Sequence, residues 1–383
     1  MIPLSIPKLS GNEGKYVQDC LDTGWISSAG EYVNRFENMV AEYCGAKYGI
    51  ACMNGTAGLH IALILNNVTE NDHVIVPNIT FIASLNSIKY TGASPILIDV
   101  NAKDWQMDLN LLEDYLKNNT YSVKNNNETF TYFTLTKKRI KAIMPVHVLG
   151  NIGDIEKLIS ISKQYNMAVI EDSTEALGSL FKNKHAGTFG KIGVFSFNGN
   201  KIISTGGGGV IVTDDEELAK KAKHLTTQAK VSAMDYIHDE VGYNYRLVNV
   251  LAAIGVAQME EFPKLLESKR KMDKFYRTQL NGVGDIEFQE VSHDVDANCW
   301  LFTFKTKYMR QLLNFLNENG VQSRPFWMPM NQLEMFKDDT FVSNGNQSDK
   351  VYATSISIPS SAGITMSEME TVVNTIKLFY SSN

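Results

Sequence analysis

Apolar residues follow two alternating periods over the first two thirds of the chain. Short apolar runs predict strands, which fall at residues 48–53, 73–76, 96–100, 140–147 and 167–171. Apolar residues at helical spacing predict helices between these strands, at residues 57–65, 82–90, 109–117 and 155–165. Strands that alternate with helices are typical of a mostly parallel sheet with helices on its faces. The pattern therefore predicts a large α/β domain.

The rest of the pattern predicts further helices and a second, smaller domain. Helices at 13–21 and 32–43 precede the alternation, strands surround Val194 and Val210, and a charged helix follows at 216–225. Residues 118–137 are rich in Asn, Ser and Thr, which favours an irregular or hairpin-like surface insertion. A long helix at 249–280, a strand at 299–304 and helices at 309–319 and 366–380 complete the chain. We therefore predict a large domain at 1–248, and a connecting helix with a smaller C-terminal α/β domain at 249–383.

Composition narrows the class of protein. With 383 residues and 44% hydrophobic content, the chain is long enough for two domains with full cores. The net charge of −6 and the lack of a basic block leave no electrostatic footprint for nucleic acid. The four cysteines and seven histidines form no close-spaced set, so we expect neither a disulfide framework nor a metal site. No signal-peptide pattern or membrane-length apolar run is present, so we expect a cytoplasmic protein without a membrane partner.

Lys201 has the most unusual setting of any charged residue in the sequence. It lies between two apolar runs that predict strands, and four consecutive glycines, Gly206 to Gly209, follow it closely. Glycines allow the backbone to approach a ligand, and so little around Lys201 is polar that an ordinary surface is a poor description. A solubilising surface lysine is the alternative. We interpret Lys201 as a reactive amine.

Other candidate residues follow predicted strands. The carboxyl ends of strands in an open parallel sheet are where ligands bind. Gly55 and Thr56 open a helix after a strand and suit a phosphate, although Asn54 or Thr56 acting as a plain helix cap is the alternative. Asp172 ends a buried strand and needs a cation or solvent, unless it caps the next helix. Phe81 offers an aromatic face or core packing, and Ser196 adds a hydroxyl near Lys201.

These residues together satisfy the requirements of one cofactor. Pyridoxal 5'-phosphate (PLP) needs an amine for its aldehyde, a carboxylate for its ring nitrogen, a helix N-terminus for its phosphate and an aromatic face for its ring. Lys201, Asp172, Thr56 and Phe81 provide these four features. The sequence therefore predicts a PLP site.

Sequence motifs along nearly the whole chain resemble the sugar aminotransferases of the DegT/DnrJ/EryC1/StrS family. The matching motifs occur in the family's order and are NGTAGLHIAL, IVPNITFIAS, GASPILIDV, MPVHVLGN, IEDSTEALGS, SFNGNKIISTGGGG, GYNYRL and SRPFWMP. The resemblance implies PLP fold type I, as in aspartate aminotransferase. It also implies that Lys201 forms the Schiff base, Asp172 pairs with the ring nitrogen and Phe81 stacks on the ring.

Further roles follow from the same resemblance. Gly55, Thr56, Ala57 and Ser196 fall where the family holds the phosphate, and Asn244 falls where a neighbouring subunit reaches into the site. A homodimer with composite active sites is therefore implied. The chain departs from the family at Gly207, where glutamate is common, and at Glu175, where glutamine is common. A carboxyl group beside the cofactor's phenolic oxygen has to be protonated or neutralised by a neighbour, so we expect this of Glu175.

The segments NGNKIIST, STEALGS and TTQAK look most like those of one branch of the family. That branch aminates UDP-linked 2-acetamido-4-keto-6-deoxy sugars for bacillosamine-type or legionaminic-acid-type glycans. The implied reaction moves an amino group from L-glutamate to C4 of that keto sugar. By the same resemblance, Trp25, Ile26 and Ser27 lie in a loop that approaches the sugar. On sequence grounds only, Lys182, Lys184, Arg246 and Arg324 are candidate cations for the diphosphate, and His185 is a candidate substrate contact. His185 in a structural role is the alternative for that residue.

Three other functions remain open at this stage. In the first alternative, the substrate carries a different nucleotide, dTDP or GDP, or is aminated at C3 instead of C4. A dehydratase of the same fold is a second alternative, but that branch has histidine where Lys201 stands. A non-catalytic PLP-binding sensor is the third.

Overall fold

A computed structural model of the chain describes residues 1–125, 128–232 and 234–382. Its helices are α1 (Glu13–Thr23), α2 (Glu31–Cys44), α3 (Gly55–Leu65), α4 (Ala83–Tyr90), α5 (Leu109–Asn119), α6 (Ile155–Gln164), α7 (Glu216–Thr226), α8 (Asn249–Leu280), α9 (Met309–Glu318), α10 (Gln347–Thr354) and α11 (Met366–Ser381). Within these ranges every helix is too short or too polar to cross a bilayer.

The strands form one large and two small sheets. They are β1 (Tyr48–Cys52), β2 (Asp72–Pro77), β3 (Ser94–Ile98), β4 (Thr120–Asn125), β5 (Glu128–Phe133), β6 (Arg139–Ile143), β7 (Ala168–Asp172), β8 (Leu180–Phe181), β9 (Lys184–His185), β10 (Ile192–Ser196), β11 (Gly209–Thr213), β12 (Glu287–Phe288), β13 (Val295–Asp296), β14 (Thr303–Lys305), β15 (Arg324–Pro325), β16 (Thr340–Val342) and β17 (Ser355–Ser357).

The large sheet is mostly parallel, which confirms the predicted fold class. Its strand order is β1-β11-β10-β7-β6-β2-β3-β16, and neighbours from β10 to β16 pair in parallel. Only β11 on this path is antiparallel to both of its neighbours. Because β1 is antiparallel to β11, it runs in the same direction as β10. The carboxyl ends of β1, β2, β7 and β10 therefore lie at one edge, where the loops carrying the candidate residues begin.

Helices cover the two faces of this sheet with separate apolar cores. On one face α2, α3 and α8 bury large side chains that include Phe36, Leu59 and Phe262. On the other face α5 and α6 bury Leu112 and Leu158 against the strands. Each buried leucine or phenylalanine contributes about 1.5–3 kcal/mol relative to exposure. The sheet edge that carries the site is thus held between two packed layers.

The C-terminal part has its own core and also returns to the large sheet. A four-stranded sheet in the order β12-β14-β17-β15 packs with α9 and α11 around Phe304 and Ile376. Helix α8 enters that core as well, through Met272 and Tyr276. However, β16 pairs with β3 and β13 pairs with β8, which the sequence pattern did not indicate. Strands of two or three residues have too little pattern to be recognised. The division after residue 248 stays a prediction.

Two other predicted segments, the insertion at 118–137 and the strand at 299–304, have different outcomes in the structure. The insertion at 118–137 forms the hairpin β4–β5, as one of the two predicted alternatives, although its residues 126 and 127 lie outside the described ranges. The predicted strand at 299–304 is confirmed at Thr303 and Phe304 alone, because the paired strand is Thr303–Lys305. Cys299 has a φ of 56°, which a strand cannot contain. Side-chain bonds to Asn298 hold this segment instead.

Candidate active site

Lys201 lies in the turn that follows β10 and faces a small cavity. Thr174, Glu175, Ser196, Asn298 and Trp300 line this cavity with it. The Lys201 Nζ atom lies 3.8 Å from the centroid of the Trp300 ring. Burial lowers the pKa of the Lys201 amine, and the carboxylates of Glu175 and Asp172 oppose that shift. A lysine in these surroundings deprotonates more readily than one in water, as a nucleophilic amine must.

Asp172 is the last residue of β7 and is buried. Its Oδ2 accepts a hydrogen bond of 2.6 Å from Ser84 Oγ, and its Oδ1 accepts one of 3.2 Å from the Thr174 N–H. Two donors stabilise the ionised carboxylate in a place where an unpaired charge would be costly. Asp172 is therefore held by its neighbours in one orientation and can face a cationic ring nitrogen.

Glu175 is a second buried carboxyl group beside Lys201. Its Oε2 accepts a hydrogen bond of 2.7 Å from the Leu149 N–H. Burial raises the pKa of Glu175 to about 7, although the nearby Lys201 amine lowers it. Near neutral pH the group is therefore partly protonated. This agrees with the expectation that a carboxyl group at this position has to lose its charge.

The N-terminus of α3 lies directly against the end of β10. A Cβ atom on Gly55 would lie 3.0 Å from Thr174 Cγ2 and 3.1 Å from Ser196 Cβ, so glycine allows this close approach without displacing either side chain. Asn54 Oδ1 accepts the Ala57 N–H at 2.8 Å and is the helix cap. The N–H groups of Gly55 and Thr56 belong to the first turn and have no intrahelical partner. Together with the Ser196 hydroxyl they suit a phosphate group.

Phe81 lies in the loop after β2 with an exposed ring, 56% accessible. The edge of its ring faces Trp327, at 6.5 Å between ring centroids, and Trp327 lies 6.2 Å from Trp300. Because the ring is exposed, core packing does not explain Phe81. Its proposed role, stacking on a cofactor ring, stays a prediction.

Three residues of the site were not identified from the sequence. Ser84 is an ordinary helix serine in the pattern, and only the fold brings it to Asp172. Asn298 donates hydrogen bonds to the Glu175 and Leu177 carbonyl oxygens, at 2.7 and 2.9 Å. Trp300 covers Lys201. Asn298 directly precedes the apolar run at 299–304 and Trp300 lies within it, so the predicted strand hid both residues.

The hairpin β8–β9 carries Lys182, Lys184 and His185. Lys182 Nζ lies 2.7 Å from Glu156 Oε2, so its charge is already paired. Lys184 is exposed, with its Nζ 4.9 Å from the centroid of the Phe189 ring. His185 is buried; its Nε2 accepts the Gly178 N–H at 2.8 Å and its Nδ1 contacts the Ala186 carbonyl at 2.6 Å. Burial also lowers the pKa of His185 to about 4. With both nitrogens occupied, His185 is structural, which corrects its assignment to the substrate.

The remaining candidates do not line the Lys201 cavity of the same chain. Trp25, Ile26 and Ser27 form an exposed loop fastened to the start of α8, where Asn249 donates to the Trp25 carbonyl oxygen at 2.6 Å. Trp25 lines a separate cleft of about 730 Å³ together with Arg246. Arg324 is exposed in β15, and its Nη1 donates to the Ser323 carbonyl oxygen. Asn244 is exposed and bridges to Thr227.

Known proteins provide the decisive comparison. The model of the DegT/DnrJ/EryC1/StrS aminotransferase family matches residues 7–377. The chain belongs to this family. It is 37% identical over 340 residues to the GDP-perosamine synthase of Escherichia coli O157:H7, covering 88% of this chain and 87% of that one. It is 34% identical over 385 residues to the GDP-perosamine synthase of Vibrio cholerae, covering 99% of both chains.

Solved structures agree with this membership. The PLP form of the Streptococcus pneumoniae protein Spr1654 superimposes with a TM-score of 0.88 at 23% identity, covering 100% of this chain and 99% of that one. The fold is PLP fold type I, and the family's cofactor is PLP. The residues at the sheet edge fit this cofactor. Lys201 offers an amine, Asp172 a buried carboxylate, and the first turn of α3 at Gly55 the N–H groups of a helix N-terminus beside the Ser196 side chain.

Proposed function

We propose that this aminotransferase moves an amino group from L-glutamate to C4 of a GDP-linked 4-keto-6-deoxy sugar. The observation that carries the choice of nucleotide is the similarity to two GDP-perosamine synthases, at 37% and 34% identity over 88% and 99% of this chain. Relatives of this similarity favour GDP over the UDP-linked 2-acetamido sugar that the motif wording suggested. The UDP sugar is the second candidate, on the wording NGNKIIST and STEALGS.

The chemistry assigned to Lys201 is covalent attachment and proton transfer. When bound, PLP supplies an aldehyde that takes up the amino group and a ring that accepts the electrons released with the α-proton. Lys201, once free, takes that proton from the amino donor and later returns a proton to the aminated sugar carbon. An amine with a lowered pKa is suited to both steps, because it exchanges protons near neutral pH.

The two carboxyl groups have different proposed tasks. Asp172, held by Ser84 and Thr174, keeps the ring nitrogen protonated, since an ionised carboxylate beside it favours the cation. Glu175, with its raised pKa, donates a hydrogen bond to the phenolic oxygen when protonated. Phe81 packs on the ring. Gly55, Thr56, Ala57 and Ser196 hold the phosphate at the start of α3.

The experiment that tests the substrate uses purified protein with PLP and L-glutamate. It is supplied in parallel with GDP-, UDP- and dTDP-linked 4-keto-6-deoxy sugars, including the UDP-linked 2-acetamido sugar, and the products are analysed by mass spectrometry and NMR. Amination at C4 of the GDP sugar, with the highest kcat/KM of the set, supports the proposal. Faster turnover of the UDP sugar would replace it with the second candidate. Binding of PLP without amination of any sugar would indicate the non-catalytic sensor.

We also propose a homodimer in which Asn244 and the Trp25 loop serve the active site of the partner subunit. In one chain these residues are exposed, so a second copy can contact them. Lys184 and Arg324 are exposed cations and stay proposed contacts of the diphosphate. Trp25, Ile26 and Ser27 stay proposed contacts of the sugar.

Mixing two inactive variants tests the shared site. Lys201→Ala and Asn244→Ala protomers, unfolded and refolded together, produce mixed dimers with one intact site if Asn244 acts across the interface. Such a mixture should recover up to about a quarter of the wild-type rate, because half of the dimers are mixed and each has one intact site. A mixture no more active than its components would place Asn244 in the site of its own chain.

A further inference from the structure

Trp300 presents the face of its indole ring to the reactive amine. The Lys201 Nζ atom lies 3.8 Å from the ring centroid, which is within the range of a strong cation–π contact. The ring itself is buried, with 3% of its surface accessible. Both residues line the same small cavity with Glu175 and Ser196. The contact therefore lies where the chemistry takes place.

Several bonds fix the Trp300 ring in this position. Its Nε1–H donates to the Asn200 carbonyl oxygen at 2.8 Å, which ties the indole to the residue before Lys201. Its backbone N–H donates to Asn298 Oδ1 at 3.1 Å. Its carbonyl oxygen accepts a hydrogen bond of 2.5 Å from the buried ammonium of Lys269 on α8. One bond thus holds the ring and two hold the backbone of Trp300, with the indole face towards Lys201.

We propose that Trp300 is a positioning residue whose indole face holds the Lys201 amino group whenever that group is not bonded to the cofactor. In this position the free amine stays beside Glu175 and Ser196 and is ready to exchange a proton. The proposal rests on the role of Lys201 in the proposed function. It does not depend on which sugar the enzyme aminates.

The charged groups around Lys201 would compete with the Trp300 ring for the Lys201 ammonium group. Glu175 and Asp172 approach the amine from β7 and the turn after it, and both favour its protonated form. Lys269 binds the Trp300 and Ser360 carbonyl oxygens. Without an opposing surface, a protonated Lys201 would form an ion pair with Asp172, the carboxylate proposed for the ring nitrogen, or with Glu175 in its ionised form. The indole face stabilises the cation by its quadrupole and leaves both carboxyl groups available.

Fluorination of the indole tests the proposal without changing its shape. The chain is produced with 5-fluorotryptophan, freed of cofactor, and labelled with trace acetic anhydride over a range of pH, and the Lys201 peptide is quantified by mass spectrometry. Fluorine weakens the negative potential of the ring face, so the pKa of the Lys201 amine should fall by a few tenths of a pH unit or more. Exposed Lys191 in the same digest is the control. An unchanged Lys201 pKa would overturn the proposal.

Two variants of similar size supply a second measurement. Trp300→Phe keeps an aromatic face and Trp300→Leu does not, while both lose the bond to Asn200. The Lys201 pKa should be lower in the leucine variant than in the phenylalanine variant by about half a pH unit or more. Equal values would mean that Trp300 only fills space. Failure to aminate any sugar would remove the proposed substrate class but would leave these apoprotein measurements unaffected.

Discussion

Ser84 Oγ lies 2.6 Å from Asp172 Oδ2, which links the first turn of α4 to the last residue of β7. This bond joins the segment after β2 to the end of β7, at the carboxylate proposed for the cofactor's ring nitrogen. Thr80 Oγ1 lies 2.7 Å from the same Ser84 hydroxyl and continues the network into the loop that carries Phe81. The orientation of Asp172 thus depends on a residue from a distant part of the chain.

Ser84→Ala should weaken the enzyme through Asp172. Loss of one donor leaves a buried carboxylate with an unsatisfied oxygen, which costs about 1–3 kcal/mol. We expect PLP to bind about tenfold more weakly or worse, as measured by equilibrium dialysis. Ser87→Ala is the matched control, because Ser87 is also buried on α4 but donates only to the Ser84 carbonyl oxygen. Equal PLP affinity in both variants would contradict this role for Ser84.

Lys201→Ala should abolish transamination and the visible absorbance of the lysine-bound cofactor. The physical reason is the loss of both the covalent anchor and the proton carrier, so kcat should fall by at least about 10³-fold. The measurement is amino transfer from L-glutamate together with an absorbance spectrum. Lys191→Ala, at an exposed site, should keep both properties. A Lys201→Ala enzyme with normal turnover would show that another amine does the chemistry.

Glu175→Gln should change how the stability of the apoprotein depends on pH. Burial raises the pKa of Glu175 to about 7, so the folded chain holds a proton that the unfolded chain has lost. The stabilising contribution is fully present below the unfolded pKa, near 4, and is lost as the pH rises through about 7, with a total of up to about 3 kcal/mol. Urea unfolding from pH 4 to 8 should show this fall in the wild type. The glutamine variant should lack it, and an identical pH dependence would refute the assignment.

Asp99→Asn should weaken the contact between the C-terminal part of the chain and the large sheet. Asp99 follows β3 and accepts hydrogen bonds from the Gln347 and Ser348 N–H groups at 2.8 Å, and from the hydroxyls of Ser343 and Ser348. Burial raises the pKa of Asp99, but these hydrogen bonds together lower it by more than burial raises it. The net shift of the pKa is therefore downward. Its stabilising contribution is therefore present above the unfolded pKa, near 4, and is lost as the pH falls through the folded pKa.

The expected loss in Asp99→Asn is about 1–3 kcal/mol of the free energy of unfolding at pH 7, because an amide cannot accept all of these bonds. Urea unfolding measures it. Asp338→Asn, at an exposed position in the same part of the chain, is the control and should change stability by less than about 0.5 kcal/mol. Equal stability of the two variants would show that the Asp99 network is dispensable.

Much of the fold and part of the site follow from local pattern. Helix α8 begins at Asn249 and ends at Leu280, as predicted, because its apolar positions recur over many turns. Lys201, Asp172 and Thr56 were identified because each follows a recognisable apolar run, and parallel strands bring such positions to one edge. The family was identified from motifs spread over the whole chain.

The sequence by itself determined the fold class and the cofactor, and it predicted the reactive lysine, since these depend on periodicity and on residues at fixed distances along the chain. Only the tertiary structure decided the partners of those residues. Ser84, Asn298 and Trp300 lie 88 to 123 residues along the chain from the groups they contact, and no local pattern encodes such contacts. For the same reason, the sequence around His185 does not reveal that its ring is buried and bonded to backbone groups.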